Sequence, residues 1–270
     1  MNDPTNQTPT VDRREFWRIV RSLAVACVLA ATVLGIVFTR TEPSIRALTI
    51  EREQETVRRL LDLPDSARID EIRRYAGHAV TGYLMPTTLR VHTEEGSLLR
   101  QIPVPQALQA APAEERDRWV TEQLGDAELL GRFFIGRHPK GTVAGYVTEA
   151  SQYGFKSLIR FFVALNPIFQ IQGVEILAHE EDPGLGAEIT RPWFRNQFIG
   201  RSVDDLATLA VVKGPMPADR PATVTADTPI YAVTGATISS RALTDGVKQA
   251  VAHLQYRVRL LGIADGGDNE

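Results

Sequence analysis

Two short stretches of this chain hold residues whose types and spacing suit chemistry. The first is His179-Glu180-Glu181-Asp182-Pro183-Gly184-Leu185-Gly186. Pro183 fixes one backbone torsion, while Gly184 and Gly186 permit positive φ and close approach, so the loop can press main-chain amides against a flat ligand. From the residues alone it also reads as an ordinary acidic turn after a strand, and that plainer reading has the stronger physical claim. The second stretch is Thr234-Gly235-Ala236-Thr237-Ile238-Ser239-Ser240, followed by apolar residues at Leu243, Val247, Val251, Leu254, Val258 and Leu261. This is a hydroxyl-rich turn leading into an amphipathic helix. The free amides and positive dipole end of such a helix favour a phosphate, and Gly235 with Ala236 removes side-chain bulk where the anion would sit. Ser and Thr are also common helix caps, so capping competes with phosphate binding as the explanation.

Other chemistries find little support. The single cysteine, Cys27, forms no intramolecular disulfide, and a structural zinc site would need scattered histidines and carboxylates. The five histidines never fall at the i, i+4 spacing that puts two imidazoles on one helix face. A net charge of -3 leaves no basic excess for nucleic acid. With 270 residues and 43% apolar composition, the chain is long enough to bury a real core.

The elements that position these stretches begin with a membrane segment. Residues 22–39, SLAVACVLAATVLGIVFT, carry no charge and as a helix would span roughly 27 Å, close to the hydrocarbon thickness. Cys27 within it reads as a small lipid-facing or helix-packing residue. Arg13, Arg14, Arg18 and Arg21 crowd its N-terminal flank, whereas Glu42 dilutes Arg40 and Arg46 beyond it, so the positive-inside bias puts the N-terminus in the cytoplasm. Asp12-Arg13-Arg14-Glu15-Phe16 is similar to a twin-arginine signal, but no A-x-A cleavage site follows, so retention as an anchor is the expectation.

Further on, Ile45, Leu48, Val57, Leu60 and Leu61 predict a juxtamembrane amphipathic helix from Pro43 to Leu63, closed by Pro64. Short alternating runs from Ala67 to Pro105 predict strands with turns at Gly77, Gly82 and Gly96, and Ala113 to Leu130 predicts a second amphipathic helix. Thr142–Thr148, Ser157–Leu165 and Gln172–Leu177 predict strands of one antiparallel sheet, the last two joined closely through Asn166-Pro167. The Gly/Asp-rich end from Asp265 has the composition of a disordered tail.

The stretch Thr-Gly-Ala-Thr-Ile-Ser-Ser resembles the flavinylation motif of FMN-binding domains. There an Asp, two residues, Ser or Thr, then Gly-Ala-Thr ends on the threonine that receives FMN through a phosphoester bond. Glu-Asp-Pro-Gly-Leu-Gly resembles the Glu-Thr-Pro-Gly-Leu-Gly loop of the same proteins. The order and separation of the two motifs are similar to those of the G subunit of the Rnf complex and the C subunit of the sodium-translocating NADH:quinone reductase. With the N-terminal helix, the resemblance spans about residues 15 to 262 and outweighs both plainer readings. Two positions differ: Tyr231 stands where the motif has Asp, with Asp227 nearby, and Asp182 stands where the loop has Thr.

The resemblance implies an α+β fold: one N-terminal transmembrane helix, then an extracytoplasmic FMN-binding domain with an antiparallel sheet flanked by helices. The expected divisions are a cytoplasmic tail (1–21), the transmembrane helix (22–39), a juxtamembrane helix and first part of the outer domain (40–140), an FMN-binding core (141–262) and a tail (263–270). Thr237 would be the covalent FMN acceptor, with Thr234, Gly235, Ala236, Ile238 and Ser239 around the phosphate. Glu181, Pro183, Gly184 and Leu185 would line the flavin ring, and no metal is implied. A flavin accepts two electrons and passes them singly, so such a chain needs no general base or nucleophile of its own. By resemblance it is an electron-transfer subunit of a bacterial inner-membrane complex that moves electrons between ferredoxin and NAD, coupled to sodium-ion or proton translocation. Its implied partners are the other subunits, the membrane and a flavin transferase. The Gly-Ala-Thr-Ile-Ser-Ser-Arg-Ala run favours the Rnf subunit over the quinone-reductase subunit. The competing classes are a non-redox anchor or assembly subunit, in which Thr237 only caps a helix, and a reductase acting on a soluble substrate.

Overall fold

The computed structural model describes residues 13–214 and 228–263. The chain divides into two compact units, Met1–Glu53 and Gln54–Glu270.

Helix α1 (Arg13–Leu60) contains, at Phe16–Thr41, the one helical stretch among the described residues long and apolar enough to cross a membrane. Its hydroxyls do not stay unsatisfied: Ser22, Thr32, Thr39 and Thr41 donate to the carbonyls of Ile19, Val28, Ile36 and Val37 at 2.7–3.1 Å. That is the condition for keeping polar groups in hydrocarbon. The helix expected from Pro43 is not a separate element, because α1 runs through to Leu60.

In the second unit, β1 (Arg68–Gly77), β2 (Val80–Leu84), β3 (Thr88–Thr93) and β4 (Leu98–Pro103) precede a single turn, α2 (Gln106–Gln109), and the helix α3 (Ala113–Leu124). Strands β5 (Glu128–Arg137), β6 (Val143–Tyr153), β7 (Leu158–Leu165) and β8 (Ile171–Ala178) follow. All eight form one antiparallel sheet in the order β4-β3-β2-β1-β5-β6-β7-β8. The chain continues through the short helices α4 (Pro192–Arg195) and α5 (Val203–Thr208) and the parallel pair β9 (Val211–Val212) and β10 (Ile230–Tyr231), and ends in α6 (Thr237–Leu260).

Helix α6 covers one face of the sheet. Leu243, Val247, Val251, Leu254 and Val258 are fully buried against Ile72, Tyr83, Phe133, Tyr146 and Phe161, at about 1.5–3 kcal/mol per side chain. On the other face Val57 and Leu61, from the end of α1 and the residue after it, join Phe134, Val147 and Phe162. Gly136 and Gly145 sit opposite each other in β5 and β6, and a Cβ on either would come within 2.7 Å of a Leu61 methyl. The leucine can press onto the sheet only because both lack side chains.

Two further expectations change. Gly82 lies inside β2 and not at a turn, because Leu124 of α3 packs where its Cβ would be, at 2.7 Å. Helix α3 ends at Leu124 because Gly125 and Asp126 both take left-handed φ of 65°, which frees Leu129 and Leu130 to enter β5. The division expected at residue 140 falls in the turn joining β5 to β6.

A candidate cofactor cavity at the start of helix α6

The loop after β8 is tied down by one carboxylate. Glu181, only 4% exposed, accepts hydrogen bonds from the amides of Phe155, Lys156 and Ser157 at 3.2, 2.9 and 3.0 Å, from the Ser157 hydroxyl and from the Ser239 hydroxyl. The loop, the β6–β7 turn and the first turn of α6 thus converge on one anion. Burial pushes this carboxyl up, but the Ser239 hydroxyl and the three amides outweigh it and hold the group below the usual carboxylate range. Gly186 makes the convergence possible, since a Cβ there would lie 2.6 Å from Glu181 Oε2 and 2.9 Å from Ser239 Oγ. At the surface, Lys156 Nζ pairs with Asp182 Oδ1 at 2.8 Å, which raises the lysine pKa.

The approach to α6 is held by a second clamp. Buried Gln197 donates to the Tyr231 carbonyl at 3.1 Å and accepts from the Tyr231 amide at 2.8 Å. Tyr231, at the motif position usually held by Asp, is therefore fixed through its backbone. Asp227 lies outside the described residues. Gly235 follows with φ of 76°, and a Cβ on it would meet Leu185 at 2.9 Å.

Helix α6 begins at Thr237 after Ala236, with no side-chain cap. The four nearby hydroxyls separate cleanly. Ser239 is buried on Glu181; Ser240 is buried between the Val233 amide, 3.0 Å away, and the Ala236 carbonyl, 2.9 Å away. Thr234 and Thr237 have no hydrogen-bond partner among the described residues, nor do the helix-initiating amides of Thr237, Ile238 and Ser239.

These groups open onto a cavity of about 770 Å³. Of the residues expected at a site, Thr234, Gly235, Ala236, Thr237, Ile238, Ser239, Glu181 and Leu185 line it, whereas Pro183 and Gly184 do not. Ser239 and Glu181 contribute mainly to each other. Sequence reasoning missed Phe155 and Lys213, while Gly186, noted there only for its backbone freedom, lines the cavity as well. Phe155, 66% exposed at the β6–β7 turn, was visible as an aromatic beside Gly154; nothing local marked Lys213, which the β9–β10 pairing brings in. Phe155, Ile238 and Leu185 give the mouth three exposed apolar side chains, and Lys213 adds a cation. The cavity is large enough for a flat aromatic ligand with a phosphate at the helix start. Among the described residues, no cluster of His, Cys, Asp or Glu is arranged to hold a metal ion.

Residues 154–252 match the FMN-binding domain family, a span holding the Glu181 loop, Thr237 and the first part of α6. The chain is 25% identical to the G subunit of the ion-translocating oxidoreductase complex of Methanosarcina acetivorans, over 90% of this chain and 96% of that protein. It is 29% identical to the G subunit of the Na(+)-translocating ferredoxin:NAD(+) oxidoreductase complex of Acetobacterium woodii, over 64% and 81% of the two chains. It is 32% identical to the G subunit of the ion-translocating oxidoreductase complex of Pasteurella multocida, over 61% and 77%.

Proposed function

The chain belongs to the family of G subunits of ion-translocating oxidoreductase complexes, and from that premise we propose that it is a single-pass membrane protein that bears FMN covalently on Thr237 and relays electrons within such a complex. By analogy with the Acetobacterium relative, the reaction served is electron transfer between ferredoxin and NAD coupled to ion translocation. The arginine-rich flank before the anchor supports an orientation with the cavity-bearing domain outside the cytoplasm. The other subunits are its partners and a flavin transferase matures it.

One observation carries the attachment site: of the four hydroxyls in the turn, Ser239 and Ser240 are buried and engaged, and of the two unengaged ones only Thr237 lies on the helix itself. Its Oγ1 would become the bridging oxygen of a phosphoester to FMN, with net loss of one water. The neighbouring helix amides would receive the phosphate oxygens, and Gly235 would leave them room. Phe155, Leu185 and Ile238 would wall the ring, and Lys213 would supply positive charge. Bound there, FMN supplies a centre that takes up two electrons and releases them singly.

The test is coexpression with a flavin transferase, followed by denaturing electrophoresis and peptide mass spectrometry. The parent should give a flavin-fluorescent band, and the peptide Gly214–Arg241 should carry the mass of FMN less water. Thr237→Ala should lose the band while remaining folded and membrane-inserted, and Thr234→Ala should keep it. A band that survives in Thr237→Ala moves the acceptor elsewhere. No band in the parent favours the non-redox anchor.

A further inference from the structure

The eight-stranded sheet forks. Strands β5 and β6 are paired from Phe133 and Thr148 to Arg137 and Val143. Past Phe133 and Thr148 the strands part: residues 128–132 of β5 stay with β1 and residues 149–153 of β6 stay with β7. Arg132 and Glu149 form an ion pair of 2.7 Å at the vertex. The opening is a cavity of about 590 Å³ whose lining also includes Gln249, His253 and Arg257 of α6. A smaller cavity of about 270 Å³ adjoins it and shares Arg74, His253 and Arg257.

The cations around this fork fall into two groups. Arg73 reaches Asp117 at 3.1 Å, and Arg132 and Arg160 share Glu149. Arg74 of β1 and Arg257 of α6 have no carboxylate partner among the described residues, and Arg74 Nε is buried without any hydrogen bond. Burial first, then the repulsion of Arg74, pulls Arg257 down to about 10; burial lowers Arg74 as well. A guanidinium half withdrawn from water bears a desolvation cost that an anion would offset, and two facing each other add to that cost.

We propose that the fork is an anion-binding site that takes a phosphate-bearing ligand, gripped between Arg74 and Arg257. Two guanidinium forks offer up to ten N–H donors and two positive charges, which suits the multiple oxygens and double charge of a phosphate or diphosphate better than a single carboxylate. The cavity exceeds a bare phosphate, and Leu129 and Leu130, 40% and 43% exposed on its lining, give the rest of the ligand an apolar wall. The same chemistry is offered by a soluble phosphate ester and by a phospholipid headgroup. The site lies about 20 Å along α6 from the Thr237 cavity, reckoned from the helix rise between Ser239 and His253, so it does not depend on the flavin reading.

The experiment uses the full chain in phosphatidylcholine nanodiscs, titrated calorimetrically with inorganic pyrophosphate at low salt. One pyrophosphate should bind per chain, at least 10-fold more weakly in Arg74→Gln and in Arg257→Gln, and unchanged in Arg259→Gln. Arg257→Lys, which keeps the charge and loses the fork, should fall between and covers the case in which the glutamine variant does not fold. Repeating the titration in discs containing phosphatidylglycerol separates the sources: apparent affinity for pyrophosphate falls there if a headgroup occupies the site, and is unchanged if the ligand is soluble. No saturable binding in either disc, or binding indifferent to both arginine substitutions, overturns the proposal.

Discussion

Helix α6 has a charge withdrawn from solvent against each end of its length, a buried carboxylate and a half-buried guanidinium, and the two are treated in opposite ways. Near its start, the Glu181 carboxylate receives five donors and joins three segments of chain. Towards its end, Arg257 faces Arg74, and neither has a counter-ion among the described residues. A buried charge whose hydrogen-bonding capacity is filled by the protein is architecture, because its removal strands its partners. One left unfilled points outward, to something the protein binds.

The sharpest way to break this comparison is Glu181→Ala. It leaves three amides and two hydroxyls without their acceptor, so unfolding by urea should show a loss of about 3–5 kcal/mol at neutral pH. Because the folded-state pKa of Glu181 lies below its unfolded value, its contribution is present above the ordinary carboxylate pKa and is lost as pH falls through the lowered folded value. The difference between parent and variant should therefore shrink in acid. A constant difference from neutral pH down to the acid limit would mean the ionised form is not what holds the loop.

A smaller effect should come from Gly186→Ala, whose Cβ would intrude on Glu181 and Ser239; about 2 kcal/mol is expected in the same measurement. Gly184→Ala is its control: with φ of 73° and no neighbour within 4 Å, it should cost only about 1 kcal/mol of backbone strain. Equal losses at the two glycines would remove the argument that Gly186 makes room for the carboxylate.

The smallest effect, and of opposite sign, belongs to Arg257→Gln. In phosphate-free buffer urea unfolding of this variant should show the parent's stability or slightly more, by up to about 1 kcal/mol, since it relieves repulsion with Arg74. A loss comparable to that of Glu181→Ala would show that Arg257 is a structural cation after all.

Much of the fold was readable in advance because its signals are local. The spacing of Leu243, Val247, Val251, Leu254 and Val258 marks a helix face, and all five are fully buried. Strands β6, β7 and β8 and the close turn at Asn166 stood out for the same reason. The β5 strand did not. Leu129 and Leu130 continued the helical pattern of α3, and only two consecutive left-handed residues, Gly125 and Asp126, break it. Gly82 read as a turn because a glycine in a strand carries no sign of the Leu124 side chain that fills its missing Cβ.

The sequence by itself determined the hydroxyl-rich turn, the helix behind it, the glycine-bearing loop at Gly184 and Gly186 and the apolar anchor, because each is written in neighbouring residues through torsional preference or periodicity. Tertiary structure alone decided which hydroxyls remain unengaged. Ser239 and Thr237 are alike as sequence, yet Ser239 is taken up by a carboxylate 58 residues away. It also decided that Arg74 and Arg257, one from the first strand and one from the last helix, share a cavity in which the one carboxylate, Glu149, is taken up by Arg132 and Arg160. Coulomb and desolvation energies depend on distance in space and on burial, and neither is encoded in the spacing of residues along the chain.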